Sequence, residues 1–309
     1  MGSTPFDTDR RVRHGVAETV APGVRRVVAA NPSAMTFTGT ASYLVGERDV
    51  ALIDPGPDDA AHATAVLAAV PAGGRVTAIL VTHAHRDHTG NASRLAAATG
   101  APVLGFGPFG AGRSPRMAAL AARLPEGQGG EGGDRGFVPD RCLADGESVA
   151  GDGWRLTAVH TPGHLGNHLC YALEGTGMLF SGDTVMGWST TIVSPPDGDM
   201  ADFMASLRRL AARGDARFLP GHGHPVEDPA GMIAWQIVHR EGRERSILAA
   251  LAQGPANAAQ LAAAIYTALS PTLMAAATRN VLAHLIALEE TGRVICDDPL
   301  SPDAPFSVR

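Results

Sequence analysis

Between Val81 and Gly90 the chain reads V-T-H-A-H-R-D-H-T-G, so three histidines and an aspartate fall within six positions, directly after the apolar run Val76-Thr77-Ala78-Ile79-Leu80-Val81. Imidazole nitrogen and carboxylate oxygen are ligands that a divalent cation such as zinc accepts. In extended backbone, His83 and His85 project to the same side and can grip one ion. Asp87 and His88 lie past the bend and can reach a second. A lone histidine is usually an ordinary core or surface residue, but a His-x-His-x-Asp-His run at the end of a strand points to a metal site.

Three later stretches repeat the design. They are His160-Thr161-Pro162-Gly163-His164, Leu179-Phe180-Ser181-Gly182-Asp183-Thr184 and Leu219-Pro220-Gly221-His222-Gly223. Each is an apolar strand, a small flexible residue and then a ligand-type side chain. Four strands of a layered sheet ending on one edge deliver His83, His85, Asp87, His88, His164, Asp183 and His222 to one place.

The elements that must position these groups can be read from the apolar spacing. Strand-like blocks run over 24–28, 42–46, 50–56, 76–81, 102–106, 154–159, 169–173, 177–180 and 217–220, with helical spacing at 59–70, 91–98 and 200–213. Strands first, then strand–helix alternation, then strands and helix again predict an α/β protein of layered αβ/βα arrangement. Residues 107–137 are rich in Gly, Pro and Arg, with a helical piece near Met117–Leu124 and a glycine-rich run from Gly127 to Gly136; they read as a long loop or lid. After Val238 the pattern is helical throughout, with Ile247, Leu248 and Leu251 on one face, Leu261 and Ile265 on another, and Val281, Leu282, Leu285 and Leu288 on a third. Val294-Ile295-Cys296 reads as a short strand. The expected units are residues 1–238 and 239–309.

Composition narrows the function. The 309 residues are 45% hydrophobic and 18% charged, which suits a packed globule of one large or two moderate domains. No run of about 18 apolar residues predicts a membrane span. The opening MGSTPFDTDRRVRHG lacks the apolar core of a secretory signal, and the three scattered cysteines form no C-x-x-C pair, so a cytoplasmic location is expected. All 25 basic residues are Arg, which excludes Lys Schiff-base chemistry and a Lys-bearing phosphate loop. The formal charge of −6 predicts no strong overall attraction to nucleic acid.

The ordered motifs T-H-A-H-R-D-H, T-P-G-H, S-G-D-T and P-G-H-G resemble those of the metallo-β-lactamase fold superfamily over residues 25–235, and Leu52-Ile53-Asp54-Pro55-Gly56 resembles its first motif. The resemblance implies a four-layer αβ/βα fold holding two zinc ions, with manganese or iron as alternatives. It implies that one ion takes His83, His85 and His164, the other takes Asp87, His88 and His222, and Asp183 bridges both. Asp54 would support a ligand histidine without binding metal, and Asp87 would orient the hydroxide shared by the ions as well as bind one of them. His168 has two readings: a proton donor or phosphate contact, or a space-filling residue at a strand start. Asn31–Thr40 and the segments 239–248 and 282–294 resemble the β-lactamase-like protein 2 group, whose members carry a winged-helix-like C-terminal domain and include single-strand-specific endoribonucleases.

Phosphodiester cleavage in single-stranded RNA is therefore the first expectation. The second is hydrolysis of small esters, thioesters or lactones, with 107–137 as lid. A β-lactamase is less favoured because Asp183 occupies the bridging place, and a non-enzymatic binding module is least favoured because the ligand set is intact. From Arg240 to Arg309 six Arg face seven acidic residues, poor for gripping phosphates. The C-terminal unit is thus expected to pack on the catalytic domain and shape a cleft wall or form a homodimer contact.

Overall fold

The computed structural model describes residues 4–124, 132–267, 269–299 and 304–309. One sheet has seven strands, β1 (Glu18–Ala21), β2 (Val24–Val28), β3 (Ala41–Val45), β4 (Asp49–Ile53), β5 (Arg75–Leu80), β6 (Val103–Gly105) and β7 (Arg141–Cys142), lying side by side in chain order. The other has five, β8 (Ser148–Gly151), β9 (Trp154–His160), β10 (Leu169–Leu173), β11 (Met178–Gly182) and β12 (Arg217–Pro220), again in sequential order across the sheet. β4 and β5 are parallel, as are β11 and β12. Each parallel pair therefore ends on one edge, and the residues just past those ends are Asp54, His83, Asp183 and His222.

Alternation along the strands builds the layers. Tyr43, Ile53 and Leu80 from the first sheet meet Leu156, Tyr171, Phe180 and Leu219 from the second in the central core. The outer face of the first sheet packs on α1 (Ala60–Ala68) and on α3 (Ala92–Thr99), which follows the single turn α2 (Arg86–Thr89), through Ala63, Val66 and Leu95. The outer face of the second sheet packs on two later helices, Met200–Arg213 and Pro229–Leu251, through Phe203, Leu207, Met232 and Ile233. This is the four-layer order expected. Two buried tyrosines cross between the sheets: Tyr43 Oη donates to the carbonyl of Pro220 at 2.8 Å and Tyr171 Oη to that of Val81 at 2.7 Å. A buried phenol keeps its hydroxyl paired, and here the pairing locks the strand ends that carry His83 and His222.

In chain order the remaining helices are α4 (Pro115–Ala121), α5 (Met200–Arg213), α6 (Pro229–Leu251), α7 (Ala258–Ile265) and α8 (Pro271–Glu290). The junction expected at 238 falls inside α6, which runs on without a break. Ile247, Leu251, Leu261, Val281, Leu285 and Phe306 form the core of the helical unit, and a two-stranded wing, β13 (Val294–Ile295) with β14 (Ser307–Val308), closes it. Within the expected lid, α4 is docked rather than free: Met117 and Leu120 pack on Ile286 of α8, and Arg116 pairs with Glu289. Part of the glycine-rich run, residues 127–131, lies outside the described residues. Among the described residues no helix is long and apolar enough to cross a membrane.

Candidate metal centre

All seven ligand-type residues converge at the sheet edge in two groups. His83, His85, His164 and Asp183 form one, with ligand atoms within 4.8 Å of one another; Asp87, His88 and His222 form the other. Asp183 faces both. Its Oδ2 is 3.3 Å from His222 Nε2, 3.6 Å from His164 Nε2 and 3.9 Å from His83 Nε2, and its Oδ1 is 3.6 Å from His88 Nε2.

The nitrogens that point away from the cluster are occupied, and this decides what points inward. His83 Nδ1 donates to Thr82 Oγ1 at 3.0 Å, and that hydroxyl donates to Asp54 Oδ2 at 2.8 Å. His88 Nδ1 donates to the same Asp54 oxygen at 2.8 Å, while Asp54 Oδ1 accepts from the Thr82 amide at 2.7 Å. His164 Nδ1 donates to the Ile192 carbonyl at 2.8 Å and His222 Nδ1 to the Gly39 carbonyl at 3.3 Å. With Nδ1 occupied as a donor, each of these rings in its neutral form presents its Nε2 lone pair to the cluster. Two of them, on His83 and His164, turn towards His85 Nδ1 at 2.9 and 3.1 Å. Converging lone pairs beside the buried Asp183 Oδ1, which has no hydrogen-bond partner among the described residues, cannot satisfy one another. A divalent cation satisfies them all, so the donor set fits the metal that the motifs imply.

The electrostatics agree. Burial holds His83 well below the usual imidazole range and lowers His85 to about 3, with neighbouring histidines adding to the effect, which leaves both rings neutral and available as ligands. For His88, burial opposes the charge, but Asp87, Asp183 and Asp54 outweigh it and raise the ring to about 10. Three carboxylates around one buried point mark a place where a cation is favoured. Burial works against the Asp183 carboxylate, yet His222 and His88 hold it well below the ordinary value.

Asp87 is positioned from the Asn31–Thr40 stretch. Asn31 holds Thr40 at two points, its Oδ1 accepting from the amide at 2.9 Å and its Nδ2 donating to Oγ1 at 2.9 Å, and Thr40 Oγ1 donates to Asp87 Oδ2 at 2.9 Å. His168 lies behind the cluster, fully buried. Its Nε2 accepts from the Asp183 amide at 3.1 Å and its Nδ1 meets Thr161 Oγ1 at 2.9 Å, so it touches the backbone of a ligand residue rather than the cleft. Sequence reasoning missed Thr82 and Thr40, although Thr82 stands directly before the histidine run.

Replacing Asp54 by Asn leaves an acceptor for the Thr82 amide but puts an NH2 group where His88 Nδ1 and Thr82 Oγ1 now donate. Metal affinity is expected to fall about 10–100-fold, measured by competition with a chromophoric chelator.

Two packed sheets between helices, with this donor set at one edge, define a metal-dependent hydrolase. Residues 35–222 match the metallo-beta-lactamase superfamily and residues 258–299 the beta-lactamase associated winged helix domain; the chain belongs to the metallo-beta-lactamase superfamily. It is 32% identical over 291 residues to a beta-lactamase-like protein 2 homolog of Drosophila melanogaster, covering 88% of this chain and 89% of that one. It is 30% identical over 266 residues to an atrochrysone carboxyl ACP thioesterase of Aspergillus fumigatus, covering 81% and 75%. Among solved structures it superposes on a metallo-beta-lactamase family protein of Thermus thermophilus with TM-score 0.74 at 26% identity, covering 94% and 100%. A beta-lactamase domain protein of Burkholderia ambifaria gives 0.79 at 24%, covering 96% and 94%, a likeness of fold alone.

Proposed function

We propose that this protein is a dinuclear zinc hydrolase of small acyl esters or thioesters with an apolar acyl group. The observation that carries the reading is the cleft over the metal centre. It has a volume of about 480 Å³, and His85, Asp87, His164, Asp183 and His222 form its floor. Its near wall is Met35, Leu165, Met186 and Trp188, and its far wall, from the helical unit, is Tyr266, Leu273, Ala276 and Ala277. Asp197, His239, Arg240, Arg279 and Asn280 also line it, and a space of that size with apolar side chains on two walls suits a small molecule. Successive RNA phosphates call instead for a cationic track. Among the described residues two arginines line the cleft, Arg240 and Arg279, too few for such a track; Arg240 already holds the Thr191 carbonyl and Asn280 Oδ1, and the chain as a whole carries −6.

The His83, His85, His164 and Asp183 group and the Asp87, His88 and His222 group would each hold a zinc ion, which would supply Lewis acidity for an attacking water and for the oxygen on which charge develops. The chain's own residues do the rest. Asp87, whose side chain is 27% exposed to the cleft, orients that water and takes its proton. Asp54 and Thr82 keep His83 and His88 in the ligating tautomer, and His168 fixes the Asp183 backbone. The apolar walls hold the acyl chain and exclude bulk water. The name of the Aspergillus fumigatus thioesterase supports the same substrate class.

Single-stranded RNA is the second reading; it rests on the resemblance of Asn31–Thr40 to the β-lactamase-like protein 2 group, and a homolog of that name matches 88% of this chain. A panel on zinc-loaded protein separates the two. We expect acyl thioesters and aryl esters of medium chain length to be turned over with the highest kcat/KM, ahead of bis-p-nitrophenyl phosphate, lactones, nitrocefin and single-stranded RNA. Cleavage of RNA with the acyl substrates untouched would sink the acyl-hydrolase reading.

A further inference from the structure

We propose that the C-terminal helical unit is a working part of the metal centre, in which Arg240 of α6 and Asn280 of α8 act as positioning residues for His164 and Asp183. The connection runs through three consecutive residues, Thr191-Ile192-Val193, which lie between β11 and α5 outside any helix or strand. Arg240 Nη2 donates to the Thr191 carbonyl. The Val193 amide donates to Asn280 Oδ1 at 3.0 Å, and Arg240 Nη1 donates to the same oxygen at 3.2 Å. Thr191 and Val193 are both fully buried, so their backbone groups need partners, and those partners are side chains of the helical unit.

The segment faces the metal centre with its remaining groups. The Ile192 carbonyl accepts from His164 Nδ1 at 2.8 Å, which fixes that ring's tautomer and aims Nε2 at the cluster. Thr191 Oγ1 donates to the Asp183 carbonyl at 2.6 Å. One short stretch thus holds a ligand of the His83 group and the backbone of the residue whose carboxylate faces both groups, while its own position is dictated from α6 and α8.

Arg240 is unusual enough to mark the arrangement as more than packing. It is 3% exposed, and among the described residues no carboxylate pairs with it. A buried cation without a counter-charge is costly unless its hydrogen bonds are needed, and two of its nitrogens are used on this strut. Asn280 has its amide orientation set by two donors converging on one oxygen, a demand that a carboxylate also meets and an apolar side chain does not.

The test uses the full chain loaded with zinc and reads zinc affinity by titration with a chromophoric chelator, with circular dichroism to confirm folding. Asn280→Leu and Arg240→Met are expected to weaken one of the two zinc equivalents by about 10–100-fold, the effect of losing a residue that orients a ligand. Asn280→Asp is expected to restore it, since its oxygen still accepts from Val193 and Arg240. If Arg240→Met fails to fold, Asn280→Leu, on a half-buried position, carries the test. Folded Asn280→Leu protein that keeps both zinc affinities, or Asn280→Asp protein as weak as Asn280→Leu, overturns the proposal. Because the readout is zinc, its failure leaves the substrate reading untouched.

Discussion

Asp183→Asn is expected to leave a folded protein that hydrolyses its substrates on the order of 10²–10³-fold more slowly, the scale of losing one electrostatic element of a reaction centre. The carboxylate lies within 3.9 Å of ring nitrogens from both ligand groups, so the substitution removes a negative charge shared by two cation sites and leaves one neutral oxygen. Zinc content should fall from two equivalents to one. His168→Ala removes the acceptor for the Asp183 amide and the partner of the Thr161 and Thr184 hydroxyls, but no charge that faces the two ligand groups, and should cost much less. The pair is checked by kcat/KM and zinc analysis on the same preparations; an Asp183→Asn protein with two zinc ions and near-normal rates means that Asp183 does not join the groups.

Gly221→Ala is expected to be nearly as damaging, by about 10²-fold, although it adds a single methyl group. A Cβ on Gly221 would stand 2.4 Å from Asp183 Oδ1 and 2.7 Å from His88 Cε1. Both atoms belong to ligand side chains, so relief comes from moving the donors, and a misplacement of about 1 Å in a reaction centre costs about that factor. The backbone at Gly221 is not left-handed, which confines the effect to the clash. Gly105→Ala on β6 is the control, because its Cβ would meet nothing closer than 3.6 Å. Equal zinc binding and kcat/KM in the two variants would falsify this account.

The ligand set was legible because each motif is local: an apolar strand sets the backbone, and the ligand follows within a few residues. Asp54 was legible only through the resemblance of Leu52–Gly56 to a family motif. The strut was not. Arg240 and Asn280 stand 49 and 87 positions from the Thr191 and Val193 backbone groups they hold, and neither they nor Thr191 lie in a strand-end motif. The continuity of α6 was hidden because residues 239–245, His-Arg-Glu-Gly-Arg-Glu-Arg, interrupt its apolar face; Arg240 is buried there on polar contacts, which hydrophobic periodicity does not register. The docking of α4 was hidden because its two anchors, Met117 and Leu120, are too few to show a face. The second strand of the wing is two residues long, below what alternation can reveal.

Asp54 adopts a left-handed backbone, φ 53°. Most side chains resist that conformation by about 1–2 kcal/mol, while Gly, Asn and Asp tolerate it. Its carboxylate must also accept from three donors at once. Glycine meets the first demand and not the second. Asparagine meets the first and half of the second, and glutamate brings the charge with a longer arm on an unwilling backbone. The permitted residue types for the two demands overlap in aspartate alone, so position 54 has no conservative substitute, although its side chain acts only through Thr82 and His88.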